Sequence, residues 1–179
     1  MKAILPILTL AALSAVPRLS AQEPRVPRVA GDIGIQTGPG QYLWLSQYRG
    51  KTCVVAVIMT TCSHCQFTTG ILNRIQNDYA RKDVQVLASA IEAMSSLNIP
   101  DFQKKFQPAF PVGYNEESYV AKFLGRAPTE PMLAPQLVFI DRTGIVRVQY
   151  SGEDPAMKNE IQEKSLRDAL EKTIKEAGK

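Results

Sequence analysis

Cys62-Ser63-His64-Cys65 holds two of the three cysteines of this 179-residue chain and its only histidine. Two thiols separated by two residues suit four chemistries: disulfide exchange, metal ligation, haem attachment or a structural disulfide. Haem attachment needs histidine directly after the second cysteine, and residue 66 is glutamine. A zinc or iron–sulfur site needs about four soft ligands. The chain offers Cys62, Cys65, His64 and the distant Cys53, but Cys53 opens an apolar strand and the His64 ring, inside the motif, would have to fold back, so no metal and no other cofactor is expected. A structural disulfide over so short a loop constrains the unfolded chain little, because the entropic gain grows with loop length. That reading stays as the alternative: a non-catalytic binding module that keeps the pair as a staple.

Redox exchange has a mechanism that these residues can serve. A thiol at a helix N-terminus faces unpaired N–H groups and the positive end of the helix dipole, and both favour the thiolate. Cys62 is then the attacking nucleophile, and Cys65, one turn further in, resolves the mixed disulfide. His64, between them, is placed to add positive charge or a hydrogen bond to the Cys62 sulfur.

The flanking residues supply the elements that this placement needs. Cys53 to Met59 is a continuous β-branched apolar run, the pattern of a strand buried on both faces. Phe67, Ile71, Ile75 and Tyr79, with Leu72, then form one apolar helix stripe. A second strand is predicted over Val84 to Ala90, giving a βαβ unit with the cysteines where strand becomes helix. The middle is less regular: a helical turn or two at Pro100 to Phe106, a short strand at Pro111 to Tyr114, and a helix from Glu116 to Leu124. Leu137 to Ile140 reads as a buried strand, Asp141 to Gly144 as a turn, and Val146, Val148 and Tyr150 as an alternating strand. Leu166, Leu170 and Ile174 mark a closing amphipathic helix. The order is β-α-β, an insertion, then β-β-α.

Strand, C-x-x-C, helix, and later a proline leading into a hairpin: this resembles the thioredoxin superfamily. Within it, "LSQYRGKTCVVAVIMTTCSHC" and "APQLVFIDRTGIVR" are similar to exported TlpA/ResA-type thiol-disulfide oxidoreductases, which overlap with the peroxiredoxin-like redoxin group. The resemblance spans residues 31 to 178. It implies an α/β thioredoxin-like fold, a central mixed sheet flanked by helices with a helical insertion between the βαβ and ββα halves. It also implies that Cys62 and Cys65 are the active-site pair and that Pro135 is the proline whose peptide bond is cis. Ala134 and Thr61 then stand against the substrate, with the Ala134 backbone open to pair with a substrate strand.

The departures bear on mechanism. Thr61 stands where relatives commonly carry tryptophan, and Thr68 and Thr69 stand where an acidic residue usually follows the second cysteine. Ala56 occupies the place of the buried aspartate of cytosolic thioredoxins. The usual proton-shuttling acid is therefore missing, and His64 leaves the direction of electron flow open. Peroxide reduction is the least favoured alternative. The peroxiredoxin pattern P-x-x-x-[ST]-x-x-C, aligned on Cys62, meets Val55 and Met59.

Lys2, the apolar run from Ala3 to Val16 and the small residue Ala21 read as an export signal over residues 1–21. The run is short for a bilayer span of about 20 residues. The expected location is periplasmic or otherwise extracytoplasmic, with membrane anchoring if the leader is retained. Residues 22–40, rich in proline and glycine, read as an extended, poorly packed lead-in, with an edge strand near Ile33 to Ile35, and 41–178 as the thioredoxin-like domain. Losing Lys2 and Arg18 with the leader lowers the formal charge from +4 to +2, since no acid precedes residue 22. With no basic helix face or aromatic-basic ladder, nucleic acid is not an expected partner. The expected partners are proteins with thiols or disulfides, and a redox partner protein, membrane-bound or soluble, that resets the pair. Cys53 reads as a small buried hydrophobe.

Overall fold

The computed structural model describes residues 25–128 and 130–177, so the leader expected at 1–21 lies outside the described residues. Eight strands and four helices follow along them. They are β1 (Arg28–Val29), β2 (Gly34–Gly38), β3 (Gln41–Trp44), β4 (Thr52–Ile58), α1 (Ser63–Tyr79), β5 (Val84–Ala90) and α2 (Ser95–Phe106). Then come β6 (Val112–Tyr114), α3 (Glu117–Leu124), β7 (Gln136–Ile140), β8 (Ile145–Tyr150) and α4 (Gln162–Glu176). The strands make one mixed sheet in the order β1-β8-β7-β4-β5-β6-β2-β3.

The apolar run of β4 sits centrally, every residue buried. It runs parallel to β5, with Val54 beside Val86 and Ile58 beside Ala90, and antiparallel to β7, with Val55 beside Val138. Alternation along β4 divides the core in two. Val54, Ala56 and Ile58 face Ile71, Leu72 and Ile75 of α1 and Leu166 and Leu170 of α4. Cys53, Val55 and Val57 face the other way, into a cluster with Val120, Phe123 and Leu124 of α3. Burying each large aliphatic side chain contributes about 2 kcal/mol, so the two-sided strand is the firmest platform available to the loop at its end.

The strand expected near Ile33 to Ile35 forms, but it is neither at an edge nor poorly packed. Ile33 and Ile35 are fully buried in the α3-side cluster, and β2 lies between β6 and β3 as part of the sheet. Glycine and proline lower strand propensity, but the burial of two isoleucines outweighs that local cost. Close approach is the price at Gly113 in β6, where a Cβ would stand 2.3 Å from the Gln36 carbonyl oxygen. The helix expected from Pro100 begins earlier, at Ser95, with Pro100 inside it. Phe67 leaves the expected α1 stripe and is 43% exposed, because the buried face of the helix there runs through Cys65, Thr68 and Thr69 instead.

Candidate active site

β4 ends at Ile58, and Met59 to Thr61 carry the chain to Cys62, the N-cap of α1. Cys62 has extended backbone angles, and its Sγ accepts a hydrogen bond from the Cys65 N–H at 3.3 Å. The sulfur thus does what a serine oxygen does at other helix starts, satisfying one of the unpaired N–H groups. The Gln66 N–H donates to the Cys62 carbonyl at 2.9 Å and closes the first turn.

The two thiols differ sharply in surroundings. Cys62 is half-buried and Cys65 fully buried. Burial pushes the Cys65 thiol well above its ordinary range. A hydrogen bond from the Met59 N–H works against that, while Cys62 and the charge of Glu92 add to it. The Met59 N–H lies 3.4 Å from the Cys65 Sγ.

His64 is turned to a partner that the sequence does not suggest. Its Nε2 donates to the Met157 carbonyl oxygen at 2.9 Å, in the short 3-10 turn Pro155–Met157 that precedes α4. Among the described residues no hydrogen bond joins His64 to the Cys62 sulfur. Thr61 is exposed beside Cys62. The Ala134–Pro135 peptide bond is cis, Pro135 is buried, and Ala134 is half-buried against the same core cluster as Cys62. Among the described residues the Ala134 N–H and C=O make no hydrogen bond. Gly152 presses on this segment: its N–H donates to the Leu133 carbonyl at 3.4 Å, and a Cβ there would stand 2.9 Å from the Ala134 oxygen. An open groove of about 550 Å³ runs from Ser63, His64 and Phe67 to Gly152 and Met157. A smaller hollow of about 360 Å³ lies at the opposite end of β4, beside Cys53 and Asp141, away from the paired thiols.

Two residues of the site escape motif reading. The Thr60 N–H donates to Glu92 Oε1 at 2.9 Å, the Thr60 hydroxyl donates to the same oxygen, and Gln66 Nε2 donates to the Thr60 carbonyl at 2.8 Å. The other Glu92 oxygen, Oε2, is buried with no partner among the described residues. The available signal was topological. Glu92 follows the apolar run of β5, and parallel neighbours end on the same side, so an acid there stands beside a motif at the end of β4.

A model of the redoxin family matches residues 21–170. The chain belongs to the redoxin family. It is an oxidoreductase with the thioredoxin-like fold, similar to proteins of the TlpA/ResA type. The thiol-disulfide oxidoreductase ResA of Geobacillus thermodenitrificans is 25% identical over 127 residues, which cover 71% of this chain and 70% of that protein. Two solved structures share the redoxin chain's fold. A putative thiol:disulfide interchange protein DsbE from Chlorobium tepidum has a TM-score of 0.65 at 23% identity, covering 84% of this chain and 99% of that one. An uncharacterized conserved protein from Geobacillus kaustophilus has a TM-score of 0.69 at 19% identity, covering 87% and 85%.

Proposed function

We propose that this redoxin is exported and exchanges disulfides with protein substrates through Cys62 and Cys65. The observation that carries the reading is the asymmetry of the pair. One thiol is accessible at the helix cap, and the other is buried one turn behind it with its N–H on the first sulfur. That is the arrangement an attacking and a resolving thiol need.

In the oxidising direction a substrate thiolate attacks the Cys62–Cys65 disulfide at Cys62 Sγ, and Cys65 leaves. A second substrate thiolate then attacks the substrate sulfur of the mixed disulfide and releases Cys62. In the reducing direction Cys62 attacks a substrate disulfide, and Cys65 then displaces the substrate from Cys62. The unpaired Ala134 main chain offers an extended substrate one strand-like contact, with Thr61 at its side and the groove past His64 and Phe67 beyond. The leader-like residues 1–21 support export, and a second protein outside the cytoplasm would reset the pair.

The test is the reduction potential of the chain without its leader, set by equilibration with glutathione buffers, together with trapping by Cys65→Ser. Thioredoxin lies near −270 mV, strong periplasmic oxidants near −120 mV, and structural bridges below about −300 mV. A value inside the exchanging span, with mixed disulfides accumulating through Cys62, supports the reading. A value below it, with no trapped partner, leaves the pair as a staple in a binding module.

A further inference from the structure

For Cys65 to act, its buried thiol must lose a proton to something. The elements that carry and underlie the motif supply nothing for that purpose. Ala56 lies in β4 beneath it, and the hydroxyls of Thr68 and Thr69 are committed as donors to the carbonyls of His64, at 2.8 Å, and Cys65, at 2.9 Å. His64 points its Nε2 at Met157. The titratable groups that act on the Cys65 sulfur are Cys62, on its own helix, and Glu92, from the end of β5.

Glu92 is held for such a task. One carboxylate oxygen is fixed by the Thr60 N–H and hydroxyl, and the other is buried without a partner. A buried carboxylate oxygen left unpaired costs stability, and a catalytic role is one reason for such a group to be kept. Neighbouring main-chain groups hold both. The Met59 N–H carries the Cys65 sulfur, and the next N–H, that of Thr60, carries the Glu92 carboxylate.

We propose that Glu92 is the acid–base group of Cys65, accepting its proton as the mixed disulfide is resolved and returning it in the reverse reaction. The assignment rests on the exchange reading above. Each step balances. The Cys65 proton passes to the Glu92 carboxylate, directly or through one water. The Cys65 thiolate then forms a bond to Cys62 Sγ, and the bond between Cys62 and the substrate sulfur breaks. The substrate leaves as a thiolate and takes up a proton from solvent or from Glu92. The two cysteines are oxidised and the substrate disulfide is reduced.

The test uses the reduced full chain and a substoichiometric aromatic disulfide, bis(carboxynitrophenyl) disulfide, whose coloured thiolate leaves without needing a proton. Its first release reports attack by Cys62, and its second reports resolution by Cys65. In Glu92→Gln, which keeps an acceptor for Thr60, the first release should be unchanged and the second slowed about 10²-fold near neutral pH. The slowed phase should rise tenfold per pH unit and be accelerated by added imidazole buffer, whereas the wild-type phase should ignore buffer concentration. An unchanged second phase, or both phases slowed alike, would overturn the assignment. Buffer acceleration of the wild type would do the same, and that measurement stands even if the variant fails to fold. Absence of the first release would sink the exchange reading itself, and this assignment with it.

Discussion

Cys65 and Glu92 hang from consecutive main-chain N–H groups. The Met59 N–H reaches the Cys65 sulfur at 3.4 Å, and the Thr60 N–H reaches the Glu92 carboxylate at 2.9 Å. A two-residue stretch past the end of β4 therefore fixes both the buried thiol and the charge that bears on it. Burial and that charge both hold Cys65 in its protonated form, while Cys62 is only half-buried. Iodoacetamide at neutral pH should consequently label Cys62 at least about tenfold faster than Cys65 in the reduced protein. Mass spectrometry of tryptic peptides over a time course measures the order, and equal rates would contradict the burial argument.

Gly152 tests how the segment before Pro135 is used. Gly152→Ala places a methyl 2.9 Å from the Ala134 oxygen, and the obstacle is main chain rather than a flexible side-chain tip. Overpacking of this kind costs about 1–3 kcal/mol. Denaturant unfolding should register that loss. Reduction of a protein disulfide such as insulin should slow more than reaction with a small aromatic disulfide, because only the protein needs the Ala134 main chain.

His64 ties the motif to the turn before α4, so its removal should first be a matter of stability. Losing the Met157 hydrogen bond in His64→Ala should cost about 1 kcal/mol. For a chain of this size that lowers Tm by about 2–4 °C. A melting curve followed by circular dichroism checks it. An unchanged Tm with a displaced reduction potential would instead return His64 to the role that its sequence position suggests, acting on the Cys62 sulfur.

Acid should loosen the clasp between α1 and α4. Hydrogen bonds from Arg74 and Arg167 draw the Glu163 carboxyl down from 4.5 to about 2. A carboxyl depressed on folding contributes stability above its unfolded value, and that contribution fades as pH falls toward its folded one. The window thus runs from 4.5 down to about 2. Glu163 is 36% exposed and its pairs are screened, so the contribution should stay under about 1 kcal/mol and shrink in high salt. Comparing acid unfolding of the wild type with Glu163→Gln isolates it: the variant should lose less stability across that window.

Where one physical signal dominated, the sequence was readable. β4 and β5 announced themselves because strands buried on both faces are mostly apolar, and β5 runs from Val84 to Ala90 as its pattern predicts. In the lead-in a strand near Ile33 to Ile35 was legible but its inner, well-packed place in the sheet was not, because the partners that bury it, α3 and β6, lie far along the chain. Phe67 fits the helical period but lies beside the buried face, which near the start of α1 is made by Cys65, Thr68 and Thr69, threonines that an apolar count passes over. Glu92 was invisible to motif reading for a related reason. Its partner Thr60 lies 32 residues away, and only the parallel register of β4 and β5 brings them together.

The third thiol is kept out of the chemistry by β4 itself. Cys53 lies at the start of that strand and the motif beyond its end. Five extended residues alone separate them by more than about 15 Å, whereas a disulfide tolerates no more than about 7 Å between α-carbons. Burial also pushes the Cys53 thiol up to about 12, Lys51 opposing only in part. A chain with three cysteines therefore behaves as a closed two-electron unit. While the sheet is intact it has one intramolecular pairing, and it cannot stall by scrambling with its own spare sulfur.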